Sequence, residues 1–389
     1  PPTDYLALCT DNLSDPEIAL PEENFNTILW TGDGANPRSF TGVGFQPDLA
    51  IIKRRSASGD NHVFDSLRPV GATSSPELVT NTNAVENDIY DPNGGLISLD
   101  SDGYTAKGAT VNNNINNNTT TYVGWNWKAG GAPTADNDNT IGAMDANSVA
   151  LNGSLQAAYT PSGSPSLYPK RMSINTTAGF SIISYTSPGT NNDESIPHGL
   201  SQRPDMVIVK NLDETRNWDV WTPALQSGYD MRLNTTDAET ASRWSTTIPT
   251  PSLVTLLDDY EVEESNEFIA YCFHSVEGYS KVGSYEGNGD ADGPFIYTGF
   301  KPAFTIVKLY SHSSYGWVMM DDARDTYNVM AANLRANTTA AETDGSEMTV
   351  DYTSNGFKIR NTNNAANGSS YSYIYLAFAE SPFKTSNAR

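Results

Sequence analysis

The chain has 389 residues, and its 46 acidic side chains outnumber its 23 lysines and arginines, which gives a net charge of −23. Such an acidic surface repels a phosphate backbone and lacks the cations that release counterions on binding, so nucleic acid is excluded as a partner. No apolar stretch approaches the roughly 20 residues of a membrane-spanning helix, and no membrane insertion is expected. This length suits about two to four domains.

Residues 1–24 precede the first repeated element, and we expect them to form an amino-terminal arm. The arm contains Cys9, one of two cysteines in the chain. The other, Cys272, stands where the corresponding strands have Asn126 and Ala377. This small-residue position is typical of a packed thiol, and two cysteines in unlike contexts do not form a disulfide framework.

Three stretches of the chain follow the same pattern, in which a turn-rich strand precedes a proline and an apolar run that ends in lysine. The runs read PDLAIIK from Pro47, PDMVIVK from Pro204 and PAFTIVK from Pro302. An Asn-Thr element follows each run. The apolar residues of the copies alternate with a period of two, which is typical of β-strands. Repetition in the same order indicates one building block present three times.

Each copy closes with an aromatic strand: YVGWNWK from Tyr122, FIAYCFH from Phe268 and YIYLAFA from Tyr373. Alternate side chains project to one face of a strand, and we expect that face to be core. The matched positions are Val123, Trp125 and Trp127, then Ile269, Tyr271 and Phe273, then Ile374, Leu376 and Phe378. Tyr373 and Tyr375 occupy the opposite face, which indicates that the strand is covered on both faces and central in its sheet.

These patterns predict an all-β protein of three tandem antiparallel β-sandwich modules of jelly-roll-like type. The expected modules are residues 25–128, 179–277 and 278–383, followed by a tail of residues 384–389. Residues 129–178 are rich in Ala, Gly, Asn, Ser and Pro, and we expect a long linker or insertion arm without a core of its own. Such an arm would lie on a neighbouring surface and become ordered only on assembly.

A lysine ends each central run, at Lys53, Lys210 and Lys308. Lysine is a possible catalytic residue, but its recurrence in three modules favours a structural role at the strand end. In that interpretation the ammonium stays in water while the aliphatic stem lies along the sheet.

Sites for metals and for acid–base chemistry are poorly supported by the sequence. None of the four histidines has a partner at a metal-ligand spacing: His62, His198, His274 and His312. The stretch NGDADG from Asn288 resembles the start of a calcium loop, but Gly299 stands where the bidentate glutamate is required, which favours a hairpin turn. Adjacent carboxylates on a strand point to opposite faces and do not suit glycoside hydrolysis. We therefore predict no enzymatic activity, no cofactor and no metal site.

Aromatic residues beside loop-like segments offer a candidate recognition surface. These residues are Trp218, Trp221, Tyr315 and Trp317. Exposed aromatic rings stack on sugar rings or on partner subunits. The alternative for each of them is packing in a core.

Several longer segments have distinctive sequences. They are PPTDYLALCTDNLSDPEI, ILWTGDG, YVGWNWKAGG, TTAGFSIISYTSPGT, IPHGLSQRPDMVIVKNLD and GFKPAFTIVK. Together they resemble a family of tailed-bacteriophage virion proteins that is common in marine phages and described as tail fibre or tail proteins. The resemblance extends from Pro1 to Phe383 and implies the carboxyl-terminal part of a longer virion polypeptide. It carries no known catalytic residues.

The resemblance implies a place in a virus particle, with other virion proteins as partners. The leading hypothesis is a non-enzymatic tail-appendage or fibre component that forms a homo-oligomer and contributes to host attachment, with a host surface glycan as the possible receptor. A capsid decoration protein is the structural alternative. A carbohydrate-binding, lectin-like module is the second alternative.

Overall fold

A computed structural model describes residues 12–13, 15–89, 94–107, 115–189, 192–257, 261–262, 265–345 and 347–386. Within these residues the chain forms 29 β-strands, a 3₁₀ turn at Pro21–Glu23 and a short helix, α1, at Asn364–Asn367. The prediction of an all-β protein is confirmed. No helix in the described ranges is long and apolar enough to cross a membrane.

Module 1 (residues 25–128) is built from β1 Phe25–Thr31, β2 Arg38–Thr41, β3 Leu49–Arg54, β4 Asn61–Asp65, β5 Pro76–Val79, β6 Asn87–Asp88, β7 Gly95–Asp100, β8 Gly103–Lys107 and β9 Thr121–Trp127. Its large sheet has the order β1-β9-β3-β4-β5-β6, and its small sheet has the order β2-β8-β7. All pairings are antiparallel.

Residues 129–178 contribute β10 Val149–Leu151, β11 Ser154–Leu155 and β12 Arg171–Asn175. Module 2 (residues 179–277) adds β13 Phe180–Thr186, β14 Glu194–Pro197, β15 Met206–Asn211, β16 Trp218–Trp221, β17 Tyr229–Arg232, β18 Thr240–Ala241, β19 Leu253–Leu256 and β20 Glu267–Phe273. The large sheet has the order β11-β10-β12-β13-β20-β15-β16-β17-β18, and β14 pairs with β19 in the small sheet.

Module 3 (residues 278–383) is built from β21 Ser280–Glu286, β22 Phe295–Tyr297, β23 Phe300–Leu309, β24 Trp317–Asp321, β25 Ala332–Arg335, β26 Thr343–Asp344, β27 Val350–Thr353, β28 Gly356–Ile359 and β29 Ser372–Pro382. Its large sheet has the order β21-β29-β23-β24-β25-β26, and its small sheet has the order β22-β28-β27.

Six strands of each large sheet therefore share one order, and in module 2 the sheet is extended by β12, β10 and β11. The runs that begin at Pro47, Pro204 and Pro302 lie on β3, β15 and β23, and each of these strands pairs with the closing strand of its own module. The expectation that these runs occupy equivalent strands is confirmed. The closing strands β9, β20 and β29 are central in their sheets, also as expected.

One face of each large sheet packs on the small sheet of the same module. Buried pairs from the two sheets share a cluster in each module, such as Ile52 with Tyr104 in module 1 and Val307 with Phe357 in module 3. Module 2 has a corresponding cluster that includes Cys272. Each module is thus a two-layer sandwich with its own core.

The opposite faces of the large sheets meet in one cluster shared by all three modules. Trp127 and Phe378 lie 5.8 Å apart between ring centroids, and Phe273 lies 6.1 Å from Phe378. The core face predicted for the closing strands is confirmed as buried, but it belongs to a common centre. This also explains why these strands are covered on both faces.

Residues 129–178 depart from one expectation. The segment lies on module 2, because β12 pairs with β13 and extends the large sheet, as an insertion arm would. However, Val149, Met172 and Ile174 are fully buried in the module 2 core within the chain itself. The segment thus has no separate core, as expected, but the expectation that it becomes ordered only on assembly is wrong, because these side chains on paired strands anchor it to module 2.

Candidate functional site

The aromatic residues expected at a recognition surface are mostly interior. Trp218, Trp221 and Trp317 are 1%, 6% and 2% exposed, so the prediction that they form a surface is wrong for all three. Tyr315 is half-buried against the module 3 core. The sequence placed these side chains after loops, but Trp218 and Trp317 begin strands that join one module to another.

The indole groups of these tryptophans identify a contact that occurs three times between modules. The first residue of the strand after each central run donates a side-chain N–H to a backbone carbonyl at an equivalent position in another module. The bonds are Asn61 Nδ2 to Arg335 O at 3.1 Å, Trp218 Nε1 to Val79 O at 3.1 Å and Trp317 Nε1 to Arg232 O at 2.9 Å. We call these contacts the 1–3, 2–1 and 3–2 seams.

A backbone hydrogen bond accompanies each seam at a second set of equivalent positions. The bonds are Glu342 N to Arg55 O at 2.9 Å, Glu86 N to Leu212 O at 2.9 Å and Glu239 N to Tyr310 O at 3.0 Å. Every seam joins different surfaces of its two modules and runs in the same direction. A heterologous contact repeated in this way closes a ring, and here the ring closes within one chain.

The repeated Asn-Thr elements have a common role beside the seams. The side-chain oxygens of Asn81, Asn234 and Asn337 accept hydrogen bonds from the backbone N–H of Asn61, Trp218 and Trp317 at 2.8, 3.1 and 3.0 Å. Each asparagine therefore satisfies the donor at the start of the strand that makes the seam. This is a structural reason for an asparagine at the same place in all three copies.

Buried charges join modules 1 and 3 at the 1–3 seam. Asp321 accepts a hydrogen bond from Trp125 Nε1 of module 1 at 2.9 Å and from Arg324 Nε at 2.6 Å. The Arg324 guanidinium also contacts Glu342 at 3.0 Å, and Arg55 of module 1 contacts the same carboxylate at 2.9 Å. The side chains of Asp321 and Arg324 are fully buried.

The 2–1 seam repeats this arrangement, whereas the 3–2 seam does not. In the 2–1 seam Tyr271 of module 2 donates its hydroxyl to Asp65 at 2.8 Å, and Arg68 contacts the same carboxylate at 2.6 Å. The matching positions of the 3–2 seam hold the uncharged residues Leu376, Thr222 and Leu225. One seam therefore lacks the buried ion pair that the other two share.

The repeated lysines correct a second expectation. Lys53, Lys210 and Lys308 are at most 1% exposed, so their ammonium groups do not lie in water. Each Nζ donates to a backbone carbonyl: Lys53 to Thr338 of module 3 at 2.8 Å, Lys210 to Asn211 at 2.6 Å and Lys308 to Tyr315 at 2.7 Å. Their role is structural, as expected, but all three are buried, and Lys53 bonds to a neighbouring module.

Burial lowers the pKa of these three lysines from 10.5 to about 8. The unfolded chain therefore binds more protons than the folded chain between about pH 8 and pH 10.5, and linkage makes stability rise with pH in that window. We expect the contribution of the three lysines to the free energy of unfolding, measured by urea titration as the difference between the natural chain and a variant without them, to increase from pH 8 to pH 10. The triple variant Lys53→Met, Lys210→Met and Lys308→Met should lose this increase, and an unchanged slope would contradict the assignment.

Module 2 contains buried carboxyl groups that the sequence analysis missed. Asp219, Asp230 and Glu261 are each at most 6% exposed. Burial raises the pKa of all three, and the negative charge of Asp230 raises the pKa of Asp219 further. Arg243 Nε lies 3.7 Å from Asp230. Asp219 follows a tryptophan in an ordinary strand pattern, so no sequence signal marks it.

These carboxyl groups predict an unusual pH dependence. A raised folded pKa means that their contribution is most favourable below the unfolded pKa of about 4 and is lost as the pH rises through the folded pKa. We expect Asp219→Asn, which resembles the protonated acid, to be more stable than the natural chain at pH 7. The difference should shrink towards pH 4 in urea titrations. A variant that is destabilised equally at both pH values would contradict this.

The described residues show little reactive chemistry. They contain no group of three or more His, Cys, Asp or Glu side chains placed to hold a metal ion. Cys272 is a buried thiol, as predicted, and burial raises its pKa to about 12, which suppresses its reactivity. Cys9 lies outside the described residues.

Exposed aromatic rings gather in module 3. Among the described residues, the aromatic side chains with large exposed areas are Phe295, Tyr297, Tyr327 and Phe383, and all of them belong to this module. The alternation of Phe295 and Tyr297 around the buried Ile296 is a sequence signal for these two exposed rings. We call Phe295, Tyr297 and Phe383 the outer patch.

The outer patch lies along the edge strand β22. This strand pairs only with β28, where Tyr297 stands opposite Gly356, so no side chain opposite covers its ring. The Lys281 ammonium lies 5.4 Å from the centre of the Tyr297 ring, and Tyr297 and Phe383 line one surface depression with Pro16. Aromatic rings beside a cation are suited to binding.

Comparison with known protein families decides the relationship of the chain. A family model described as "Domain of unknown function (DUF7483)" matches residues 20–165 and 166–382. The chain belongs to the DUF7483 family. No curated protein and no solved structure matches the chain. The boundary between the two DUF7483 matches falls between β11 and β12, and the second match spans both module 2 and module 3.

Proposed function

We propose that the protein is a non-enzymatic structural component of a bacteriophage virion, a tail-appendage or fibre component that contributes to host attachment. The observation that carries this proposal is the different placement of aromatic groups in the interior and on the surface. Buried aromatic and charged groups join three modules into one body, whereas three of the four strongly exposed aromatic rings among the described residues form the outer patch. The resemblance of the sequence to phage tail proteins supports the same placement.

A closed ring of sandwiches suits a component that bears mechanical load. Each module is held by two seams and by the common core, so no module can separate without breaking contacts on both of its sides. A linear array of three modules would leave one unpaired seam surface at each end, through which chains could associate. In the ring both seam surfaces of each module are used within the chain, so this association is avoided. Homo-oligomer formation, which we also propose, must therefore use other surfaces.

The outer patch is the candidate attachment surface, in place of the tryptophans that proved to be buried. Phe295 and Tyr297 are 47% and 56% exposed. A planar ring that is held on a strand and open on one face stacks on the apolar face of a sugar. We propose a host surface glycan as the receptor, which also keeps the lectin-like alternative open.

Placement in the particle is tested with antibodies raised against the purified chain. Immunoelectron microscopy of phage particles that encode it is expected to show label at the tail appendage. Label over the capsid shell would favour the capsid decoration alternative. Particles without label would contradict the proposal.

Attachment is tested separately by the binding of purified protein to host cells. Tyr297→Ala is expected to weaken binding about tenfold or more, since the loss of a central aromatic contact costs more than about 1 kcal/mol. Tyr327→Ala is the matched control, because Tyr327 is 75% exposed in the same module but lies outside the patch. Equal loss in both variants, or no loss in Tyr297→Ala, would contradict the assignment of the patch.

A further inference from the structure

The centre of the ring is built in layers that follow the register of the inner strands. In the first layer Leu49, Met206 and Phe304 pair with Trp127, Phe273 and Phe378; in the second, Ile51, Ile208 and Ile306 pair with Trp125, Tyr271 and Leu376. In the third, the buried lysines Lys53, Lys210 and Lys308 pair with Val123, Ile269 and Ile374. Each layer takes equivalent residues from all three modules.

A cavity of about 70 Å³ lies at this centre. All three isoleucines of the second layer line it, together with residues of the first layer and of the seams, such as Trp218, Trp317 and Ala336. Its accessible lining surface is entirely apolar. The lysines of the third layer are not part of the lining.

The cavity follows from the closure of the ring. Three similar sheets that face one centre place side chains of the same length around it, and isoleucine is too short to fill the space between three strands. The three isoleucines remain half-buried although they face the core. A cavity within a core lowers stability in proportion to its volume.

We propose that the central cavity is a binding site for a small, neutral, apolar molecule. The lining offers no hydrogen-bond partner, so water gains little by entering, whereas an apolar guest restores the missing van der Waals contacts. Apolar cavities of about 150 Å³ bind benzene or xenon. At about half that volume, this cavity accepts a xenon-sized guest and excludes benzene.

The test uses the full chain with ¹³C-labelled isoleucine methyl groups and dissolved xenon as the probe. Xenon is expected to shift the methyl signals of Ile51, Ile208 and Ile306 and to leave those of Ile52 and Ile183, which face the sandwich cores, unchanged. Absence of a saturable shift at the three cavity isoleucines would overturn the proposal. So would shifts of equal size at Ile52 and Ile183.

Adjacent variants provide a matched pair. Ile51→Ala enlarges the cavity and is expected to confer benzene binding, seen as saturable shifts at Ile208 and Ile306. Ile52→Ala removes the same atoms from the opposite face of the same strand and is expected to confer none at those positions. Equal benzene responses would overturn the proposal. Ile306→Phe is expected to abolish the xenon shifts at Ile51 and Ile208, and Ile208→Phe replaces it if that variant does not fold.

Discussion

Replacement of Asp321 by alanine is expected to lower the free energy of unfolding by about 3–5 kcal/mol, because it leaves a buried guanidinium without its main partner. Arg324 is fully buried beside Asp321, and Trp125 of module 1 also loses its hydrogen-bond acceptor. The variant thus loses both an ion pair within module 3 and a hydrogen bond between modules 1 and 3. Urea titration followed by tryptophan fluorescence measures it.

Asp292→Ala is the matched control for this prediction. Asp292 also pairs with a cation of module 3, at 2.9 Å from Lys358, but its side chain is 82% exposed. Surface ion pairs contribute about 0–1 kcal/mol. If the two variants were destabilised equally, the ion pair at the 1–3 seam would not be the buried element described above.

Truncation of Trp127 to alanine is expected to cost about 3–5 kcal/mol, as for large buried aromatic residues elsewhere. Trp127 is 4% exposed and contacts Phe25, Phe304 and Phe378, two of which belong to module 3. The cost is therefore shared by the ring and is not confined to module 1. Phe273→Ala and Phe378→Ala should behave alike.

Thermal unfolding of Trp127→Ala measured by calorimetry should show one transition at a lower temperature. A module that melts separately while the others keep their original transition would contradict a common core. A loss below about 1 kcal/mol would show that this face of β9 is not core.

The three modules could be predicted from the sequence, because local patterns determine them. The runs from Pro47, Pro204 and Pro302 alternate with a period of two and recur in the same order, and these features alone place β3, β15 and β23 on equivalent strands. The burial of both faces of the closing strands also follows from their aromatic composition. Residues close in sequence carry all of this information.

The ring could not be predicted from the sequence, because its contacts are not local. Its seams join residues more than 80 positions apart, such as Trp317 with Arg232 and Asn61 with Arg335. A tryptophan at the start of a strand has the same local sequence whether it faces solvent or another module. The interpretation of Trp218 and Trp317 as surface residues failed for this reason, whereas Trp221 ends β16 and is buried in the sandwich core of module 2.

The lysines show the same limit. A lysine at a strand end normally keeps its ammonium in water. The residues next to Lys53 in the sequence do not predict its hydrogen bond to the Thr338 carbonyl of module 3, at 2.8 Å. Likewise, the composition of residues 129–178 favoured a linker, although three strand pairings that include Val149, Met172 and their neighbours build it into a sheet. Tertiary context decided both cases.

Native-state hydrogen exchange of Asp321→Ala tests the closed ring most directly. Asp321 contacts modules 1 and 3 and has no hydrogen bond to module 2 among the described residues. If the three modules unfold as one body, the opening free energy of amides in β20 of module 2 should fall by the same amount as that of amides in β9 and β29. Unchanged protection in β20, with losses confined to β9 and β29, would contradict the ring.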